Sequence, residues 1–244
     1  MAKTNKEKIE IELDNKEKAL AQAPVIVSAS RSTDIPAFYC DWFFHRLKVG
    51  YSAWTNPFNG VKMYVSYAKT RFIVFWSKNP RPLLNHIDEL KARGIGCYIQ
   101  YSLNDYEEEK LERGVPPLAE RIETFKKLVD VLGKGSVIWR FDPLVLTEDI
   151  TIEKLLNKIE NIGDQLKGYT EKLVFSFVDI LSYNKVKNNL KANGISFVDW
   201  TEEQMAEFAS RLVALNKEKG WNYKLATCGE RGRYPGVEPN HCID

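Results

Sequence analysis

The chain has 244 residues, enough for one large domain or two small ones, and its 44% of hydrophobic residues can form a sizeable core. Its formal net charge of +2 is close to neutral, which argues against a nucleic-acid partner and gives no support for a membrane one. No apolar run approaches the roughly 18 residues of a membrane helix, and the charged N-terminus lacks the apolar core of a signal sequence. We therefore expect a cytoplasmic protein with no membrane partner.

Residues 1–22 form a charged extension rich in Lys and Glu. This extension is compatible with a loose tail, a short helix, or an added edge strand around Ile9–Leu13. From residue 23 onward, short apolar runs alternate with amphipathic stretches, which marks the start of the main domain.

Seven short segments rich in β-branched and aromatic residues predict strands. They are Val25–Ser30, Tyr51–Thr55, Phe72–Trp76, Gly96–Ser102, Ser136–Phe141, Leu173–Val178 and Tyr223–Thr227. Helices are predicted between most of them, over Ala37–Val49, Arg81–Arg93, Pro117–Leu132, Ile152–Leu166 and Glu202–Lys219. Two segments break this rhythm. Val61–Ala68 is expected to form a hairpin with the strand before it, and Tyr183–Trp200 an irregular excursion with a short helix.

Helix ends carry their own signals. Thr147 to Thr151 offers N-cap residues before one helix, and Thr201 with Gln204 fits a capping box before another. Glycines stand where three helices should end, at Gly94, Gly133 and Gly220. Alternating strands and helices imply parallel pairing. The pattern predicts an α/β fold over residues 23–244, a single domain forming a full or partial TIM-barrel-like barrel.

Strand parity separates an apolar face from a polar one, because successive strand residues point to opposite sides. The apolar parity contains Val25, Val27, Ile73, Phe75, Ile99, Tyr101, Val137, Trp139, Phe141, Leu173, Phe175, Phe177, Tyr223 and Leu225. The other parity becomes polar toward the strand ends and contains Ser28, Ser30, Trp76, Lys78, Gln100, Ser102, Arg140, Asp142, Ser176, Cys228 and Glu230. In a barrel this second set points into the mouth, where barrel enzymes place their chemistry.

The segment after the first strand, residues 28–36, combines small hydroxyl residues with an arginine and an aspartate before a helix. Ser28, Ser30, Arg31 and Thr33 are candidate ligand-binding residues there, with Arg31 suited to an anionic group. Asp34 and Thr33 are equally suited to capping the helix that begins near residue 36. Both interpretations stay open for Asp34.

Two further strands end in X-Pro turns, which force extended or turn geometry at the strand tip. Trp76, Lys78 and Asn79 close one of them, and Asn56 closes another. Lys78 could hold an anionic group, and the two asparagines could bind a polar ligand. Ordinary turn chemistry explains an asparagine at such a place equally well.

Arg140 and Asp142 form the clearest strand end, because they share a face and could bind each other or a ligand carboxylate or phosphate. We take Arg140, Asp142, Glu230 and Lys78 as candidate catalytic residues, with Gln100 and Ser176 as binding residues. The alternative is a structural ion-pair network of Arg140 with Asp142 or Glu230.

Near the C-terminus, Cys228, His241 and Cys242 are candidate metal ligands. Cys40 and Cys97 lie in a predicted helix and strand and are expected to be small buried hydrophobes. The chain has no GxGxxG, P-loop, HExxH or GxSxG motif, and its three histidines make a Ser-His-Asp mechanism improbable.

A set of motifs in order from Val25 to Asp244 resembles the bacterial domain-of-unknown-function family 1848. The matching stretches are SASRSTDIPAFY, NPFN, FIVFWSKNP, VPPLAERIETFKKL, VIWRFDPL, SFVD, TEEQM, TCGE and HCID. The resemblance implies a relative of the radical S-adenosylmethionine enzymes, which have full or partial strand–helix barrels. Longer members continue into a cysteine-rich tail suited to an iron–sulfur cluster. Here Cys228 and Cys242 match family cysteines, but two thiols do not supply the usual three ligands.

Three hypotheses follow. The first is a barrel enzyme of radical-S-adenosylmethionine-like ancestry that binds a small polar or anionic ligand, with S-adenosylmethionine and a cluster as the implied cofactors. The second is a non-redox hydrolase or lyase that uses Asp142, Glu230, His241 and a divalent metal. The third is a non-catalytic binding protein completed by a partner chain or by a missing C-terminal segment.

Overall fold

A computed structural model of the chain describes residues 7–30, 33–56, 59–180, 184–228 and 234–240. Two compact units are present, residues 1–99 and residues 100–244. The elements of the first are β1 (Lys8–Glu12), β2 (Lys18–Gln22), β3 (Ile26–Ser28), α1 (Ile35–Phe38), α2 (Cys40–Val49), β4 (Tyr51–Thr55), β5 (Lys62–Ser66), β6 (Phe72–Ser77), a 3-10 helix (Arg81–Asn85), α3 (Ile87–Ala92) and the start of β7 (Gly96–Ser102).

The second unit contains the end of β7 and the rest of the chain. Its elements are α4 (Leu118–Leu132), β8 (Val137–Leu144), β9 (Leu146–Thr147), α5 (Ile152–Leu166), β10 (Lys172–Phe177), α6 (Asn184–Ala192), β11 (Phe197–Val198), α7 (Glu202–Glu218), β12 (Lys224–Thr227) and β13 (Glu238–Pro239). None of the described helices is long and apolar enough to cross a membrane.

The first unit holds a four-stranded sheet in the order β1-β2-β5-β4. Of the three alternatives for the N-terminal extension, β1 agrees with the added edge strand, and β4 with β5 confirms the expected hairpin, with antiparallel pairing of Tyr51 to Ser66. β2 was not predicted. The prediction that Tyr51–Thr55 alternates with the parallel strands is wrong, because a short turn joins it to β5 and a short turn permits only antiparallel pairing.

A seven-stranded sheet has the order β13-β12-β10-β8-β7-β6-β3, with helices beside it. Its strands β3 and β6 are parallel, as are β8, β10, β12 and β13. The predicted α/β class with parallel strands is therefore confirmed. Closure of this sheet into a full or partial barrel stays a prediction.

Most predicted helix boundaries are confirmed. Thr151 caps α5 by accepting from the backbone N–H of Lys154, and Thr201 with Gln204 forms the capping box of α7. The helix predicted over 37–49 is divided at Tyr39 into α1 and α2. The helix predicted over 81–93 is divided into a 3-10 helix, Arg81–Asn85, and α3, Ile87–Ala92.

The apolar parity forms the buried core, as predicted, with one exception. Trp139, Phe141 and Phe175 are all 0% exposed, whereas Val25 is 55% exposed. Val25 precedes β3, which is an end strand of its sheet, so one side of this position faces solvent. The parity argument therefore holds for the strands that carry the candidate site.

Candidate functional site

Arg140 lies at the centre of a hydrogen-bonded group at the C-terminal ends of strands in the second unit. It is 1% exposed. Its Nε and Nη2 atoms donate to Asp142 Oδ2 at 3.0 and 2.5 Å, and Nη1 donates to Gln100 Oε1 at 3.1 Å. Nη2 also lies 3.5 Å from Cys228 Sγ. One buried cation therefore holds side chains from β7, β8 and the end of β12.

Asp142 carries the negative charge that balances Arg140. Its side chain is 22% exposed, and its Oδ1 atom accepts a hydrogen bond from the hydroxyl of Ser176 at the end of β10. Burial by itself lowers the pKa of Arg140, but the attraction of Asp142 and the hydrogen bonds to Cys228 and Asp142 outweigh it and raise that pKa. Arg140 is therefore a permanent cation at this place.

Cys228 follows β12 directly, and its sulfur meets a second donor. Asn240 Nδ2 lies 3.1 Å from Cys228 Sγ. Asn240 is held there because β13 pairs with β12 and the Asn240 N–H donates to the Thr227 carbonyl at 2.9 Å. The thiol is thus placed between an amide and a guanidinium.

Asn104, two residues beyond β7, anchors the backbone of Asp142. Its Oδ1 accepts from the Asp142 N–H at 2.8 Å, and its Nδ2 donates to the Asp142 carbonyl at 3.0 Å. We name the connected set the strand-end network; its members are Gln100, Asn104, Arg140, Asp142, Ser176, Cys228 and Asn240.

Sequence reasoning found five members of this network through strand parity and missed Asn104 and Asn240. Asn104 lies in the loop after β7, where parity no longer applies, although polar residues just beyond parallel strands are themselves a signal. Asn240 follows a strand of only two residues, one of them Pro239, and so short a strand has no detectable periodicity.

The first unit has its own polar strand ends. Ser30 Oγ accepts from the Trp76 N–H at 3.3 Å. Asp34 Oδ1 caps α1 by accepting from the Ala37 N–H at 3.0 Å, and its Oδ2 accepts from the Lys78 N–H at 2.8 Å. Capping therefore explains one oxygen of Asp34 and a loop-to-loop bond the other, which makes Asp34 a support for the two turns.

The remaining predicted residues of the first unit lie at strand ends and in the turns beside them. Ser28 and Thr33 are exposed, and the Asn79 N–H is bonded to Ser77 Oγ in a turn at 2.9 Å. Asn56 follows β4 directly, and its N–H donates to the Val61 carbonyl at 2.9 Å. Because β4 lies outside the parallel sheet, Asn56 loses the strand-end argument that made it a candidate.

Arg31, Glu230, His241 and Cys242 lie outside the described residues, so their predicted roles stay predictions. Within the described ranges, no group of three or more His, Cys, Asp or Glu side chains is arranged to hold a metal ion. That the strand ends of the two units share one cavity also stays a prediction.

The other cysteines and histidines are accounted for locally. Cys40 is buried in α2 and Cys97 is half-buried in β7. Burial raises the pKa of Cys40 to about 12 and that of Cys97 to about 11, so both are neutral thiols near pH 7. His45 is exposed, and His86 stacks on a phenylalanine ring of α2.

Comparison with known proteins agrees with the motifs of the sequence. No curated protein and no solved structure matches the chain. A family model described as Domain of unknown function (DUF1848) matches residues 26–244, a range that contains the whole strand-end network. Since the match covers most of the chain, the protein belongs to the DUF1848 family.

Proposed function

We propose that the protein is an enzyme of radical-S-adenosylmethionine-like ancestry, with a full or partial barrel, that binds a small polar or anionic ligand at its strand ends. The observation that carries the proposal is the buried Arg140 guanidinium, which ties Asp142, Gln100 and Cys228 together where β7, β8 and β12 end. In parallel α/β sheets, ligands bind at the carboxyl ends of the strands.

A purely structural ion pair explains this arrangement less well. Taking a guanidinium and a carboxylate out of water costs several kcal/mol, and apolar packing of similar volume is often as stable. Here the charges are accompanied by a thiol, a hydroxyl and amides in one place, whereas the opposite strand face is apolar. A buried guanidinium in contact with a carboxylate and a thiol at strand ends is typical of functional sites.

The contacts assign different tasks to the members of the network. Each of Arg140 Nε, Nη1 and Nη2 donates to a protein acceptor. Arg140 therefore has the role of holding the site together, and other residues make the first contact with the ligand. Asp142, Ser176 and Cys228 are only partly buried and present oxygen and sulfur atoms to an incoming molecule.

The described residues do not by themselves form an iron–sulfur cluster site. Such a cluster with an open iron uses three thiolates, and Cys228 is the one cysteine among the described residues of the network. Further thiolates would have to come from residues outside the described ranges or from another chain. We therefore derive no chemical step through a cluster.

Ligand binding tests the proposal. The protein is incubated without oxygen with ferrous iron and sulfide, and S-adenosylmethionine binding is then measured by equilibrium dialysis. We expect saturable binding that D142N weakens about tenfold, the effect of losing one charged hydrogen bond. D130N changes the same residue type on the exposed face of α4 and should bind like the wild type.

Two results would contradict the radical version: a colourless protein that binds no S-adenosylmethionine, or equal binding by the wild type and D142N.

Elemental analysis of the purified protein distinguishes the second hypothesis, a non-redox hydrolase or lyase, from the first. Zinc or manganese in stoichiometric amount, without iron or sulfide, would favour a metal-dependent hydrolase or lyase.

A further inference from the structure

We infer that Asn104 is a positioning residue that sets the geometry of Asp142, and through it that of Arg140 and Cys228; this inference rests on the proposed function of the strand-end network. Asn104 is 0% exposed although it lies in a loop. A buried loop amide needs partners for all its polar atoms, and these partners show what the residue does.

Asn104 binds both main-chain polar groups of a single residue. Its Oδ1 accepts from the Asp142 N–H and its Nδ2 donates to the Asp142 carbonyl, at 2.8 and 3.0 Å. One residue before Asn104, the Leu103 N–H donates to the Arg140 carbonyl of β8 at 2.9 Å. The side chain of Asn104 therefore extends the contact with β8 to Asp142.

The orientation of the Asp142 backbone determines where its carboxylate points. That carboxylate receives Arg140 Nε and Nη2 on one oxygen and the Ser176 hydroxyl on the other. Arg140 Nη2 is in turn 3.5 Å from Cys228 Sγ. Asn104 is thus connected to the thiol through two residues, without touching it.

Asparagine is the residue type that this place requires. It supplies one acceptor and two donors, and its second donated bond goes to Glu112 Oε1 at 3.0 Å. An aspartate would place its carboxylate beside the Asp142 carbonyl and the Glu112 carboxylate, without any donor. N104D should therefore fail like N104A although it keeps the volume.

The loop that carries Asn104 is itself fixed at several points. Tyr106 donates from its hydroxyl to the Pro143 carbonyl at 2.8 Å and accepts from the Val145 N–H at 3.1 Å. Glu109 is ion-paired with Lys154 and Lys158 of α5, at 2.8 and 3.3 Å. A rigid loop is what a positioning residue needs, because its own atoms must not move.

The rate at which Cys228 is alkylated reports the position of Arg140 relative to its sulfur, and it can be measured without any ligand. Arg140 Nη2 and Asn240 Nδ2 lie against the Cys228 sulfur, so the rate of its alkylation depends on how firmly these two groups are held there. The four cysteines fall in four different tryptic peptides, so iodoacetamide labelling at each is measured separately by mass spectrometry. We expect N104A and N104D to change the rate of Cys228 labelling about threefold or more, because Asp142 then no longer holds Arg140 in place; a threefold change corresponds to the loss of one ordinary hydrogen bond. Labelling of Cys40 and Cys97 should not change.

W200F is the matched control, because it deletes another buried hydrogen bond to β8, from Trp200 Nε1 to the Leu144 carbonyl at 3.1 Å. It should lower the free energy of unfolding as N104A does and leave the Cys228 rate unchanged. Equal Cys228 rates in N104A and the wild type, or an equal change of that rate in N104A and W200F, would overturn the inference. The measurement uses no ligand, so it can succeed even where S-adenosylmethionine fails to bind.

Discussion

At the scale of single residues, two buried arginines of the second unit show that the contribution of a buried charge to stability depends on its hydrogen-bond partners. Arg140 and Arg121 are 1% and 2% exposed. Arg140 donates through all three of its nitrogens. Arg121 Nε and Nη1 have no acceptor among the described residues, and its Nη2 lies 3.7 Å from Glu107 Oε1. The two side chains are therefore buried to a similar degree, but among the described residues only Arg140 has an acceptor for each of its nitrogens.

R140M and R121M should therefore differ in stability. R140M leaves the Asp142 carboxylate without its counter-ion and should lower the free energy of unfolding by about 3 kcal/mol. R121M replaces a poorly satisfied cation by an apolar chain of similar volume and should change it by less than about 1 kcal/mol. Urea unfolding of the two variants measures the difference. A loss in R121M as large as that in R140M would show that Arg121 has partners outside the described residues.

Residues also show the limit of sequence reasoning. Parity brought Gln100, Arg140, Asp142, Ser176 and Cys228 together correctly, because the period of two holds along a regular strand and one face had to be apolar. The same reasoning could not reach Asn104, whose role depends on where a loop returns to β8. It also could not distinguish the capping role of Asp34 from a binding role, since one aspartate does either.

At the scale of elements, α5 makes a close approach that requires a glycine. A Cβ atom at Gly163 would lie 2.6 Å from Trp221 Cζ2. Trp221 cannot move aside easily, because its Nε1 donates to Asp164 Oδ1 at 2.8 Å and its ring stacks on Tyr223. Tyr223 in turn donates to the Gly163 carbonyl at 2.8 Å.

G163A should therefore destabilise the protein, although alanine is the better helix former by about 1 kcal/mol. The clash with Trp221 should outweigh that gain and leave a net loss of about 1–3 kcal/mol. N157A, on the exposed side of the same helix, carries the propensity gain without the clash and should be neutral or slightly stabilising. Thermal unfolding of both variants gives the answer, and a G163A protein as stable as N157A would refute the close packing.

Elements also show why part of the fold was predictable. The helices α5 and α7 have strong periodicity and capping residues, and their starts are confirmed at Ile152 and Glu202. The assignment of β4 to the parallel sheet failed because a strand pattern does not show which partner it pairs with. The hairpin turn to β5 decided that, and turn geometry outweighs the order of elements along the chain.

At the scale of the whole molecule, buried acidic groups link stability to alkaline pH. Burial raises the pKa of the Cys40 and Cys97 thiols to about 12 and about 11, from the ordinary value of 9.0. Burial likewise raises the pKa of the phenols Tyr67, Tyr106 and Tyr223 above 10.0. These groups lie in both compact units. The folded protein thus keeps protons that the unfolded chain releases.

The sign of the effect follows from proton counting. Above pH 9 the unfolded chain loses thiol protons while the folded protein keeps them, so the free energy of unfolding falls as pH rises. Each thiol contributes on the order of 1 kcal/mol per pH unit until the pH reaches its folded pKa.

Urea unfolding at pH 7.5, 9 and 10.5 should therefore show little change in the free energy of unfolding between pH 7.5 and 9 and a clear loss between pH 9 and 10.5. The C40A/C97A variant, which lacks these two buried thiols, should lose less stability between pH 9 and 10.5 because of the five buried groups only the three phenols remain. An equal loss in that variant and in the wild type would mean that the thiols ionise as readily in the folded protein as in the unfolded chain.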